Sequence, residues 1–297
     1  MDWDRLRIFH TVAEAGSFTT AARKLNLSQS AASRQIRTLE ESLNVTLFNR
    51  HARGLVMTQE GEQLYQAACE VMQKLEAVEQ SLLDAKGSPR GRLVVTTMIS
   101  FGALWLTPHM REFVRRYPDI DLQINLSDDD LDLARREADV AIRFHAPHQA
   151  ELIQRPLVKV HHHIYASKDY IARKGMPQTP EDLDDHDIII YGPTTPLAIK
   201  DINWTLTLGA SGKPRRPVLQ INNTYAVLRA IVAGIGLAAI PDYLVTGEHS
   251  LVRVLPDIEG PAFETYFVYS RELKGSKRVG LFRDFLIEQV RGDAGIM

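Results

Sequence analysis

Residues 18–43 read FTTAARKLNLSQSAASRQIRTLEESL, two short helical patterns joined by the tight turn Asn26-Leu27-Ser28. In the first pattern Ala21, Ala22 and Leu25 supply a small-residue face, as two crossing helices in close approach require. Ser28 stands where its hydroxyl can cap the first free N–H groups of the next helix. The buried face of that helix is Ala32, Ile36, Leu39 and Leu43, at steps of four, three and four. Its other face is polar, with Gln29, Ser33 and Arg37 a turn apart and Ser30 and Arg34 alongside. A major groove accepts such a helix, since Gln pairs with adenine, Arg with guanine or phosphate, and Ser with either. The pattern is a helix-turn-helix and points to sequence-specific DNA binding. A small helical bundle with a solvated polar face is the alternative, but turn, cap and the acid-free start of the polar face all agree with the first reading.

Charge supports this locally. The whole chain carries 35 basic and 37 acidic side chains, a formal net charge of −2, so it is no general polycation. Between Thr19 and Met57, however, Arg23, Lys24, Arg34, Arg37, Arg50 and Arg53 face only Glu40 and Glu41, both at the far end of the second helix. Such a footprint releases phosphate counterions and positions the domain, leaving sequence reading to the helix.

Working outward, Leu6, Phe9, Val12 and Ala13 form the inner stripe of a first helix ended by Gly16. After Leu43, Asn44 tolerates the left-handed conformation that ends helices. A hairpin follows, with strands Thr46-Leu47-Phe48 and Leu55-Val56-Met57 and the tip Arg50-His51-Ala52-Arg53-Gly54. The tip cations can reach the backbone or a minor groove; ordinary solvated turn residues are the other reading.

From Thr58 to Lys86 the apolar positions Leu64, Ala68, Val71, Leu75, Val78 and Leu82 step by four, three, four, three and four. Glu62, Glu70, Gln73, Lys74, Glu76, Glu79 and Gln80 fill most of the remaining surface. A long helix with one narrow seam predicts a partner helix and hence a homodimer with two recognition helices; packing of the stripe on the same chain is the alternative. Cys69, the one cysteine, adjoins this seam, forms no disulfide within the monomer, and reads as a packing residue in a reducing compartment.

Gly87-Ser88-Pro89-Arg90-Gly91 marks a boundary. About two hundred residues remain, enough for an α/β domain or two lobes. Strands at Leu93 to Thr96, Asp121 to Leu126 and Asp139 to Ile142 alternate with helices at Leu104 to Tyr117 and Leu131 to Glu137, which implies a parallel sheet. A second set follows: the strand-like HHHIYAS near Lys159, a strand Asp187 to Tyr191, a helix Asn223 to Ala233 and a strand Leu237 to Ile240. A strand Tyr266 to Ser270 and a helix Arg278 to Val290 finish the chain. There is no signal-peptide pattern and no apolar run long enough to span a membrane, so the expected location is the cytoplasm, with no membrane partner.

Together these features resemble the LysR-type transcriptional regulators. The likeness is carried by FHTVAEAGSFTTAARKLNLSQSAASRQIRTLEESLNVTLFNRHARGLVMTQEG, the linker helix, DVAIRF, YASKDYI and VLRAIVAGIGLAAIP, and so by essentially the whole chain. It implies an α/β chain with an N-terminal winged helix-turn-helix (residues 1–58), a long dimerisation linker helix (59–89) and a two-lobed effector domain similar to periplasmic binding proteins (90–297). Lobe I would hold about 90–160 and 267–297 and lobe II about 161–266, with crossings near His161 to Ala166 and Tyr266 to Ser270. Asn44 stands where the family usually carries glycine, and asparagine can serve the same left-handed cap. The resemblance places Thr19, Gln29, Ser30, Ser33, Arg34 and Arg37 on base edges or nearby phosphates, with Arg50 and Arg53 in the wing. It implies a dimer or tetramer on an interrupted palindrome of double-stranded DNA, a small-molecule effector between the lobes, contact with RNA polymerase, and no cofactor.

Strand ends nominate the effector residues: Ser100 and Phe101 after the first strand, Ser127 and Asp128 after the second, and Arg143 and Phe144 after the third. Thr194 and Thr195 follow the Ile188 to Tyr191 strand, and Asn222 to Thr224, with Asn222 and Thr224 singled out, precede a helix. Ser100 at a helix N-terminus and Arg143 as a carboxylate partner suggest a small organic acid; solvated loop residues and helix caps are the alternative for each.

Other conspicuous features carry less. His161-His162-His163 on a strand point to alternating faces and cannot converge on one metal ion. Asp128-Asp129-Asp130 reads as a loop and cap, and Gly234-Ile235-Gly236 as a helix end rather than a phosphate loop. An enzyme or solute-binding module with a helical appendage is the competing class. No nucleophile with a base, metal cluster or cofactor loop stands at a recognisable spacing, so a non-enzymatic regulator is expected.

Overall fold

The computed structural model describes residues 2–51, 54–84, 89–129, 133, 138–145, 149, 151–193, 201–293 and 296. They fall into two compact units, Met1–Leu82 and Leu83–Met297.

The first unit begins with α1 (Trp3–Ala15), α2 (Phe18–Lys24) and α3 (Gln29–Leu43), which pack pairwise on one another. Leu6, Ile8, Phe9 and Val12 of α1, Ala21 and Ala22 of α2, and Ala32, Ile36 and Leu39 of α3 form its core. Leu43, expected to end the buried stripe, lies at the last residue of α3 and is exposed. Gly16 ends α1 at φ 58° and Asn44 ends α3 at φ 54°, each in the left-handed region. The wing is formed by β1 (Phe48–His51) and β2 (Gly54–Met57), antiparallel with Phe48 opposite Met57 and His51 opposite Gly54. Arg50, His51 and Gly54, expected in the tip, thus belong to the strands, because pairing continues until only residues 52 and 53 separate them. Glu40 ties helix to wing by accepting from the backbone N–H of Leu47 at 2.7 Å and of Phe48 at 3.3 Å.

Then α4 (Gln59–Asp84) begins where Thr58 Oγ1 accepts the Gly61 N–H at 3.0 Å and donates to the Thr46 carbonyl at 2.6 Å. Gly61 has no alternative, since a Cβ there would lie 2.2 Å from the Leu47 carbonyl oxygen. The expected seam divides. Ala68 is buried in the core of this unit with Leu64 and Tyr65 packed against it, whereas Val71, Leu75 and Val78 are 41%, 50% and 57% exposed.

The second unit opens with β3 (Gly91–Thr97), then α5 (Ile99–Phe101), which runs through a π-helical turn, Gly102–Leu106, into α6 (Thr107–Arg116). Next come β4 (Ile120–Leu126), β5 (Val140–Arg143) and β6 (Leu152–Val160). The helix expected at Leu131 to Glu137 falls outside the described residues except for Leu133. The chain crosses at His161 into β7 (His162–Ser167), α7 (Lys168–Lys174), β8 (Ile189–Tyr191), β9 (Leu219–Ile221), α8 (Thr224–Val232), β10 (Ala238–Pro241) and β11 (Leu251–Val254). It returns through β12 (Phe263–Ser270) to α9 (Lys277–Gly292).

Lobe I carries a five-stranded sheet ordered β4-β3-β5-β12-β6, parallel for β3 with β4 and β5, and antiparallel where β12 joins β5 and β6. Lobe II holds β10-β7-β11, antiparallel, and the parallel pair β8-β9, bridged by Ile188 and Leu237. The second crossing therefore lies before Phe263. Tyr266 to Ser270, expected to cross, pairs along its whole length with lobe I, so lobe I takes up the chain earlier than the expected residue 267. His162 to Ala166 likewise sits inside the lobe II sheet, leaving His161 as the crossing residue. Phe113, Phe282 and Phe285 pack edge to face between α6 and α9 and anchor the lobe I core.

His162 is the first residue of β7. Its ring meets Phe263 edge-on at 4.7 Å, and burial first, then His163 and His161, pushes its pKa down to about 3. The unfolded chain binds the proton near 6.5 and the folded chain near 3, so stability falls as pH drops through that window, by about 1.4 kcal/mol per unit once well below 6.5. His162→Leu should flatten the fall of the unfolding midpoint between about pH 7 and 5. Equal slopes in variant and native chain would show that His162 does not carry it.

Candidate functional site

The first surface is the start of α3. Ser28 Oγ accepts the Ala31 N–H at 3.1 Å and shares a hydrogen bond of 3.0 Å with Ser30 Oγ, so both hydroxyls are oriented at the helix entry. Gln29, Ser30, Arg34 and Arg37 are exposed and Ser33 is half-buried with a partner of its own. Thr19 is exposed in the first turn of α2, which Ser17 caps through the Thr20 N–H. The two acids near this face are occupied elsewhere: Glu40 holds the wing backbone, and Glu41 pairs with Arg37 at 3.0 Å. What projects from the first turns of α3 is therefore amide, hydroxyl and guanidinium, as base edges and phosphates require. Arg50 lies on β1 opposite Leu55, and Arg53 lies outside the described residues.

The second candidate site lies where the two lobes of the second unit meet. Ser100 and Phe101 open the helix after β3 and are buried. Ser100 Oγ lies 3.2 Å from the Tyr243 hydroxyl, and the Phe101 ring meets Tyr243 edge-on at 5.3 Å and Phe144 at 5.4 Å. Asp128 Oδ1 accepts the Ile99 N–H at 3.1 Å and Oδ2 accepts from Asn223 Nδ2 at 2.5 Å. Arg143 ends β5, is 8% exposed and is not without a partner. Thr224, 4% exposed, starts α8 beside Tyr191. The Tyr191 hydroxyl is buried there beside the Thr224 side chain, with no well-formed hydrogen bond among the described residues. Burial pushes the pKa values of Tyr191 and Tyr243 upward, so both phenols stay neutral donors.

Of the expected effector residues, Ser100, Phe101, Asp128, Phe144 and Thr224 are tied by contacts into this cluster, and Arg143 ends a strand beside it. Ser127 instead accepts the Asp129 N–H in a local turn, and Asn222 is exposed, so the structure leaves both out of the buried cluster. Thr194 and Thr195 lie outside the described residues. Tyr191 and Tyr243 were not nominated from sequence, although each stands at or just past a strand end, at β8 and β10. That signal was available.

The histidine run behaves as alternation demands. His162 faces Phe263, while His163 Nδ1 lies 2.8 Å from the Asp242 carboxylate, which also accepts from the Tyr165 hydroxyl at 2.9 Å. Among the described residues no group of His, Cys, Asp and Glu could hold a metal ion, and no helix is long and apolar enough to cross a membrane.

Both units have counterparts among known proteins. Residues 3–62 match the bacterial regulatory helix-turn-helix protein, lysR family, and residues 86–291 match the LysR substrate binding domain. An HTH-type transcriptional regulator of Xanthomonas campestris pv. campestris is 30% identical over 295 residues, covering 98% of this chain and 86% of the relative. CrgA of Neisseria meningitidis serogroup C is 31% identical over 293 residues, covering 97% and 96%. The solved structure of CrgA from Neisseria meningitidis is 28% identical with a TM-score of 0.61, covering 98% of this chain and 99% of that one. Full-length AphB of Vibrio cholerae is 28% identical with a TM-score of 0.58, covering 97% and 99%. Matched by one family at both ends and by its regulators over nearly its whole length, the chain belongs to the LysR-type transcriptional regulators, as a DNA-binding regulator with an effector-binding domain and not an enzyme.

Proposed function

We propose that this regulator works in the cytoplasm as a dimer or tetramer on an interrupted palindrome upstream of a target gene. Gln29, Ser30, Ser33 and Arg34 read base edges, while Thr19, Arg37, Arg50 and Arg53 hold phosphates. The observation that carries this reading is the exposed, acid-free start of α3, with its cap and neighbouring carboxylates already engaged. Dimerisation through Val71, Leu75 and Val78 presents two such helices to two half-sites. A relative of this fold, CbnR, 19% identical, has been solved with its target DNA.

The effector in this proposal is a small organic acid bound between the lobes. Support comes from Ser100 in the first turn of a long helix, the buried guanidinium of Arg143 at a strand end, and the buried Tyr191 hydroxyl beside Thr224. Binding there changes lobe and subunit orientation, and through it DNA bending and contact with RNA polymerase. Only a difference in effector affinity between the two arrangements can drive that change. Small mono- and dicarboxylic acids titrated into the operator complex should include one that alters the footprint of the native chain but not of Ser100→Ala. An acid acting equally on both would move the pocket away from Ser100.

A further inference from the structure

Asp128 follows β4 in lobe I, and Asn223 precedes α8 in lobe II. Three hydrogen bonds run through them without a break. Ile99 N–H donates to Asp128 Oδ1 at 3.1 Å, Asn223 Nδ2 donates to Asp128 Oδ2 at 2.5 Å, and Ala226 N–H donates to Asn223 Oδ1 at 3.0 Å. Each end of this chain is a backbone N–H in the first turn of a helix, one in each lobe, held in place by the helix itself. The Asp128–Asn223 contact joins these two ends through side chains. It is a short bond to a carboxylate, the strong kind, and the carboxylate lies where the positive ends of two helices meet. Each side chain has a second task that fixes its rotamer, so little freedom is lost when the two lobes come together.

We propose that Asp128 and Asn223 form an interlobe latch, a direct lobe-to-lobe hydrogen bond whose strength sets how readily the effector cleft opens. The latch works beside the Ser100–Tyr243 contact at 3.2 Å and needs no group from outside the chain. An effector that enters the cleft acts on an equilibrium already biased by this bond. Losing a bond to a charged acceptor shifts the open-to-closed ratio by about tenfold or more. The proposal concerns the cleft taken above as the effector site. Its test contains no effector, so the failure of one leaves the other standing.

The experiment exchanges donor and acceptor in the full chain. Asn223→Asp keeps an oxygen for the Ala226 N–H but sets carboxylate against carboxylate. Asp128→Asn keeps an oxygen for the Ile99 N–H but sets amide against amide. Made together, they restore one donor and one acceptor with roles exchanged and both helix caps intact. Two readouts apply: the unfolding midpoint of the second unit, and the distance between spin labels at exposed Arg115 of lobe I and exposed Lys213 of lobe II, in a Cys69→Ser background. Each single substitution should lower the midpoint and lengthen the distance, and the pair should regain most of both. Losses that simply add, or single variants that match the native chain, would overturn the latch.

Discussion

Leu75→Lys should turn the dimer into monomers and weaken operator binding by more than about a hundredfold. Leu75 is 50% exposed on α4, flanked one turn away on each side by Val71 at 41% and Val78 at 57%. Leu64 and Ala68, earlier on the same seam, pack on the chain's own N-terminal core, which leaves the stripe from Val71 onward to the proposed partner helix. In a two-fold interface each substitution occurs twice, which brings two ammonium groups into one apolar seam. An unpaired buried charge costs about 3–5 kcal/mol, well beyond what a narrow helix pair can absorb. Operator affinity falls with it because a monomer reaches one half-site at a time. Sedimentation at a concentration where the native chain is dimeric decides the matter, and an unchanged mass would place the interface elsewhere.

Arg34→Ala should cost the dimer about thirtyfold to twenty-thousandfold in specific affinity. The magnitude follows from about 1–3 kcal/mol per base contact, counted at both half-sites. Arg34 is exposed on α3, so the fold and its circular dichroism should be unchanged. Arg37 gives the natural comparison. It is paired with Glu41 at 3.0 Å, both side chains exposed, and Arg37→Ala should weaken all sequences alike while reducing the salt dependence. If Arg34→Ala keeps native operator affinity in a folded protein, the base-reading role falls to other residues.

The recognition helix was legible because a 3.6-residue period leaves its mark on every turn: Ala32, Ile36 and Leu39 are buried where the spacing put them. The wing was legible as a hairpin but not in extent. Arg50, His51 and Gly54 look like turn residues one by one, and only pairing with Leu55 and its neighbours makes them strand. Strand β6 left little trace. Gln154, Arg155, Pro156 and Lys159 break any alternation, and Pro156 is tolerated because β6 is an edge strand and Pro156 sits at the register shift opposite Tyr266. The return crossing was misplaced for the same reason, since Phe263 to Thr265 belong to lobe I only through their pairing with β6.

Where the lobes meet, strand-end logic singles out Ser100 and Asp128 but not the residues they contact. Tyr243 is 143 residues from Ser100 and Asn223 is 95 from Asp128, so each contact exists only once two lobes have folded against each other. Local pattern shows which residues are poised at a strand end. It does not show what crosses from the other side, and that is why Ser127 was nominated with Asp128 although its hydroxyl closes only a local turn.

Regulation by this chain depends first on α3 reading DNA sequence. Fluorescence anisotropy of the full chain at physiological salt, with excess competitor, on its own upstream DNA and on a scrambled duplex of the same length tests it most directly. Tight binding to the upstream DNA is expected, with binding weaker by about a thousandfold to the scrambled duplex. Equal affinity for the two, repeated across a selection of random duplexes, would contradict it.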